Sequence, residues 1–172
     1  MAQQYSPTNL RSYEAALNVF DKKIKGAIAG VIKKTAEECY REIVARSPHK
    51  TGSYIASHRI GINDVDGSDT VYTKKNKIAK GVAQSAALKE LGKLKGLKDT
   101  DTVYISNSVG FSNSNHYSWA ANVEYAGWDT KDGSIDPYLV YEKAALLAIN
   151  RIPQYVQYIK GQGDKILDTV LM

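Results

Sequence analysis

The chain has 172 residues, a formal net charge of +5, one cysteine, and twelve tyrosines against two phenylalanines. That length can bury a core without metals or disulfides, no apolar run is long enough to span a bilayer, and the lone Cys39 has no partner for an internal disulfide, as expected in a reducing compartment. The mild basic excess permits contact with nucleic acid or an acidic partner without requiring either, and tyrosine suits surfaces that are buried only on assembly.

Residues 1–9 are polar, carry Pro7, and read as a loose lead-in. They lack the basic start and apolar centre of a signal peptide, so a cytoplasmic location is expected. Ser12 fits an N-cap, with Glu14 in the first turn. A stripe then runs through Leu17, Phe20, Ile24, Ala27, Ile28, Val31, Ile32, Thr35, Cys39 and Ile43 in steps of three and four. This is the helical period, and it predicts a helix over 12–46, about 50 Å long at 1.5 Å per residue. Cys39 within it reads as a buried, inert thiol. Gly26 and Gly30 allow a bend or the close approach of another element.

The helix should end at Ser47-Pro48-His49-Lys50-Thr51-Gly52-Ser53-Tyr54-Ile55. Ser47 precedes a proline and is pushed out of the helical region, Gly52 can adopt a backbone conformation closed to other residues, and Thr51 and Ser53 can hold a turn. Pro48, Thr51 and Gly52 are therefore the structural corner. Alternation of Tyr54, Ala56, His58, Ile60 and Ile62 predicts a strand over 54–64, followed by a turn at Asp64-Val65-Asp66-Gly67 and a second strand at 71–73.

Lysines crowd the next segment: Lys74, Lys75, Lys77, Lys80, Lys89, Lys93, Lys95 and Lys98. Residues 74–98 break the strand pattern and read as an excursion from the sheet, partly helical and mobile. Ala87, Leu88, Leu91 and Leu94 form an apolar stripe too short to fold alone. The expectation is an arm that orders on assembly, with its leucines buried on a neighbouring subunit favoured over its lysines pointing into a central channel. A strand follows over 101–109, then a polar loop over 110–115; over 116–125 Tyr117, Ala120, Ala121 and Glu124 fit a short helix and Trp119, Ala121, Val123 and Tyr125 fit a strand, with the short helix favoured. Residues 127–136 read as loop. Pro137 fits a first helical position. Tyr138, Tyr141, Ala145, Leu146, Ile149, Ile152 and Val156 make the stripe of a second long helix, kinked by Pro153 and ended by Gly161 and Gly163. The apolar tail from 164 is expected to dock.

Catalytic and metal patterns are sparse. His49, His58 and His116 lie far apart, with no ligand spacing for zinc, and no phosphate-binding glycine loop follows a strand. Glu124 reads as a carboxylate that caps backbone or pairs with a neighbour. No cofactor and no metal is expected.

Three segments in order carry a family resemblance: the corner at 47–55; Tyr117-Ser118-Trp119-Ala120-Ala121-Asn122-Val123-Glu124-Tyr125-Ala126-Gly127; and Asp136-Pro137-Tyr138-Leu139, which opens a helix containing Ala144-Ala145. Together they resemble the small neck, or tail-completion, proteins of tailed bacteriophages. The resemblance implies an α+β fold: a small, mostly antiparallel β-sheet packed against a long N-terminal helix and a C-terminal helix, in one domain. It implies a non-enzymatic virion protein, made in the host cytoplasm and placed in the neck. There it would form a ring, hexameric with a dodecamer as the alternative, joining the DNA-filled head to the tail. Its partners would be copies of itself, the connector, tail-terminator or tail proteins, and genomic DNA crossing the channel without sequence-specific binding; no membrane is involved. Interface candidates are Lys74, Lys75, Lys77, Leu88, Leu91, Leu94, Tyr117, Trp119, Glu124 and Tyr125. Two rival readings are a non-specific nucleic-acid-binding protein using the lysine-rich segment, and a small hydrolase built around Glu124 and a histidine.

Overall fold

The computed structural model describes residues 7–110, 119–126, 128–130 and 133–171. The fold is α+β: a long N-terminal helix and a C-terminal helix packed with a small antiparallel sheet. Helix α1, Pro7–Arg46, has 40 residues and is about 60 Å long. It starts at Pro7, so Ser12 is interior and not an N-cap; proline is tolerated in a first turn because its missing N–H would have no partner there. None of the helices is long and apolar enough to cross a membrane among the described residues.

The corner forms where expected and then departs from the predicted strand. Gly52 has φ of +99°, and the chain enters a single helical turn, α2, Ser53–Ala56. Ala56 N–H donates to Gly52 O at 2.9 Å, and Ser53 N–H donates to Thr51 Oγ1 at 3.4 Å. Strand β1, His58–Ile62, begins only after it. The segment 71–73 is extended but pairs with no strand, because side chains occupy its backbone. Ser53 Oγ donates to Tyr72 O and accepts from Tyr72 N–H, while Ser57 Oγ does the same with Thr70. Two hydroxyls one helical turn apart thus take the place of a strand edge for alternate residues of the extended chain.

Residues 74–98 do not form a free arm. Helix α3, Lys80–Leu88, and a 3₁₀ turn, Lys89–Leu94, fold back over β1. Ala83, Ala87 and Leu94 are buried in one cluster with Ala36, Tyr40, Val44, Ile55, Ala56 and Ile60, and Leu88 and Leu91 pack against it. The apolar stripe is therefore spent on this chain's own core, where apolar burial is worth about 25 cal/mol per Å². Leu94, expected at an interface, is a core residue of this chain, while Leu88 and Leu91 are partly buried against the same core.

Strand β2, Val103–Asn107, pairs antiparallel with β1, with Ile60 opposite Ile105. Helix α4, Trp119–Ala121, runs into a π-helical turn, Asn122–Ala126, in keeping with the short helix expected there. Part of the expected loop 127–136 is a hairpin of β3, Trp128–Thr130, and β4, Gly133–Ile135. Helix α5, Val140–Leu171, starts later than Pro137 because Leu139 has φ of +48° and interrupts the helical backbone. It then runs unbroken through Pro153, Gly161 and Gly163. Pro153 is exposed, so solvent can serve the carbonyl it leaves unbonded, and each glycine costs only about 1 kcal/mol in a helix.

Helices α1 and α5 run antiparallel. Ile43 packs on Val140 and Ala144, and Glu38 meets Arg151 at 3.0 Å. The inner face of α5 is Val140, Ala144 and Ala148, all buried. At 100° per residue, Leu146, Ile149 and Val156 lie on the opposite side, and they are 55, 56 and 41 % exposed. The stripe expected to face the core thus splits: small residues admit α1, and the larger ones point outward.

Candidate functional site

The corner, the sheet and α5 meet at a buried polar hub centred on His58. Asn107 sets its protonation. Asn107 Nδ2–H donates to Tyr54 O at 2.7 Å, and Asn107 Oδ1 accepts from Val109 N–H at 3.1 Å, which orients the amide. The same Nδ2 donates to His58 Nδ1 at 3.0 Å, so Nδ1 is an acceptor, and the Tyr141 hydroxyl lies 2.9 Å from the same nitrogen, sharing its one lone pair. The ring proton is then on Nε2, which donates to Ser47 Oγ at 2.7 Å; Ser47 passes its own proton to Ile43 O at 2.6 Å. His58 is fully buried, and burial with Arg59 nearby pushes its pKa down to about 3.

A serine nucleophile needs an unprotonated ring nitrogen aimed at its hydroxyl proton. Here the polarity is reversed: Nε2–H points at Ser47 Oγ and the serine proton at a backbone carbonyl. The pair is a tie between the end of α1 and β1.

Glu124 closes the hub from the other side. Its Oε1 accepts from the Tyr54 hydroxyl, and its Oε2 accepts from Tyr141 N–H at 3.0 Å, in the first turn of α5. A carboxylate at a helix N-terminus satisfies an orphan donor and meets the positive end of the helix dipole. Burial, and then the bond to Glu124, hold the Tyr54 hydroxyl far above its ordinary pKa; burial does the same for Tyr141. Tyr40 completes the interior. Its hydroxyl lies 2.9 Å from His58 O and 3.0 Å from Ala87 O, sharing one proton between β1 and α3.

Sequence reasoning expected Glu124 to be a backbone cap, and it is one. It also placed Glu124 among interface candidates, which is corrected: the side chain is 4 % exposed. Tyr125, its neighbour, is 70 % exposed. Trp119 opens α4, and Tyr117 lies outside the described residues. Pro48 and Thr51 are half-buried, and Gly52 is buried against Ile78. Lys74, Lys75 and Lys77 are exposed. Tyr40, Ser47, His58, Asn107 and Tyr141 were not read as one constellation. Each is a lone polar residue in an apolar pattern; the one available signal was a histidine on the inward face of a predicted strand. Among the described residues no cluster of histidine, cysteine, aspartate and glutamate could hold a metal ion. Cys39 is half-buried, and burial raises its thiol pKa.

Comparison with family models, curated proteins and solved structures finds no match to this chain.

Proposed function

We propose that this chain is a structural ring subunit of a tailed-bacteriophage neck, joining the DNA-filled head to the tail without catalysing a reaction. The observation that carries the reading is the outer face of α5. Leu146, Ile149 and Val156 present apolar surface on the side away from α1. Between residues 144 and 159 the only charge is Arg151, and Glu38 takes it. An uncharged aliphatic face of this kind fits the apolar core of an interface. The ordered resemblance of the corner, the Trp119-to-Tyr125 segment and the Pro137-Tyr138-Leu139 helix opening to neck proteins supports the same role.

In this reading the hub is scaffold: it fixes α5 on α1 and so fixes the angle at which each subunit offers its outer face. Identical subunits joined head to tail close into a ring when that rotation is right. A hexamer is expected, in contact with the connector on one side and tail components on the other. Mass measurement of the purified chain and symmetry-resolved imaging of virion necks test it. A ring mass abolished by Leu146→Glu/Ile149→Glu is the expected result; absence of the protein from purified particles overturns the role.

A further inference from the structure

The lysines of 74–98 do not stay together. Lys93 is bound to Asp66 at 2.8 Å and Glu90 at 2.7 Å, and Lys98 lies beside Asp101, to whose carboxylate its backbone N–H donates at 2.8 Å. Lys74, Lys75, Lys77 and Lys80 are exposed and make no ion pair among the described residues.

These four join residues from the helix-to-strand corner. Ile78 N–H donates to Thr51 O at 3.1 Å, and His49 Nε2 sits 2.8 Å from Ile78 O, where it donates. Exposed Lys50 lies in the chain between His49 and Thr51, the two residues bonded to Ile78, which follows Lys77. Lys74 and Lys75 occupy the tip of a turn closed by Asn76 N–H on Thr73 O at 3.2 Å. Asn76 Oδ1 accepts in return from Thr73 N–H and from Thr73 Oγ1–H at 2.7 Å. The lysine backbones are thus fastened, and only their side chains are free.

The two stretches that build this surface, 43–63 and 70–89, contain no aspartate or glutamate. No acid within either stretch offsets their bases, although Glu42, Asp64, Asp69 and Glu90 flank them in sequence, and at ordinary salt charges farther than a Debye length of about 8–10 Å are largely screened.

We infer that this corner, Lys50 with Lys74, Lys75, Lys77 and Lys80, is a docking surface for the phosphate backbone of duplex nucleic acid. Charge complementarity chooses the occupant. Lysine is depleted from protein interfaces but is a standard partner of backbone phosphates. The surface lacks the stacking platform that single strands use: the nearest aromatic, Tyr72, is half-buried, and its backbone is bound at both N–H and C=O by Ser53. Nothing in this arrangement reads a base edge, so binding is independent of sequence and falls steeply with salt. The inference stands on the corner alone and does not require the ring.

The test is titration of the full chain with a random-sequence duplex of about 25 base pairs, from about 50 to 200 mM salt. Lys74→Gln/Lys75→Gln/Lys77→Gln should weaken binding at least about tenfold and lower the log–log salt slope by about three. Lys33→Gln/Lys34→Gln, on α1, should change neither. Thermal melts confirm that each variant folds; Lys50→Gln/Lys80→Gln supplies a second variant on the same surface and should lower the slope by about two. No binding at about 50 mM salt, or binding that both corner variants leave unchanged, overturns the inference. So does displacement by polyglutamate as effective per charge as by duplex, because the surface would then take acidic protein. A DNA-binding chain missing from virions would retain this site while losing the neck role, and the reverse result would do the opposite.

Discussion

Gly52 and Gly61 show what single residues contribute. Gly52 combines a left-handed backbone with contact: a Cβ there would lie 2.5 Å from Ile78 Cγ1. Gly52→Val should therefore destabilise by about 1–3 kcal/mol from backbone strain, with further loss as Ile78 is displaced. A thermal melt checks this, and an unchanged midpoint would make the position ordinary. At Gly61 a Cβ would meet Asp64 O at 1.9 Å, a backbone atom that cannot step aside without reshaping the turn.

His58 gives a pH prediction with a definite sign. Its folded pKa of about 3 lies below the ordinary 6.5, so between those values the unfolded chain binds more protons. Stability from neutral His58 is complete above about pH 6.5 and is lost as pH falls toward the folded value, by at most about 1.4 kcal/mol per pH unit. Asp66, held below its usual 3.8 by bonds from Lys93 and Ser68, acts in a lower window. Denaturant midpoints between pH 7 and 4.5, on the order of two units around the histidine range, should fall for the natural chain and stay flatter for His58→Gln. Parallel slopes in the two proteins would remove His58 as the cause.

Among the elements, α1 was the most legible, because steps of three and four persist for many turns. Its last turns hid a second buried face, Ala36, Tyr40 and Val44, because tyrosine and alanine give weak periodic signals. The segment α3 was misread for the same reason. Its buried residues are Ala83 and Ala87, small side chains that leave little periodic signal, and the lysines and glycines of the surrounding 74–98 segment masked it. In α5 the apolar stripe was visible, but side could not be told from period alone: the alanines pack and the leucine and isoleucine do not. Leu146→Glu/Ile149→Glu should accordingly leave the melting temperature of the unassembled chain within about 2 °C, since surface changes are usually within ±0.5 kcal/mol. Leu94→Ala, by contrast, should cost about 2–5 kcal/mol. Equal losses in the two variants would mean that both positions are core. On α1, Thr35 Oγ1 is buried without a hydrogen-bond partner among the described residues, so Thr35→Val should stabilise by about 1 kcal/mol in denaturant unfolding.

The whole molecule is held by contacts between its first and last helices, with Glu38 and Arg151 separated by 113 residues. At about 5–20 residues per second a ribosome needs roughly 6–23 s to make that interval. Throughout it, Cys39, Ile43 and the rest of the α5-facing side of α1 stay wet. Glu124 emerges in time to meet the Tyr54 hydroxyl, yet its second oxygen waits for Tyr141 N–H. The nascent chain therefore carries the α5-facing side of α1 uncovered until the residues of α5 that pack on it have been made. Synthesis from the N-terminus then sets an order: the sheet and α3 can close on the end of α1 first, and α5 latches the fold after them.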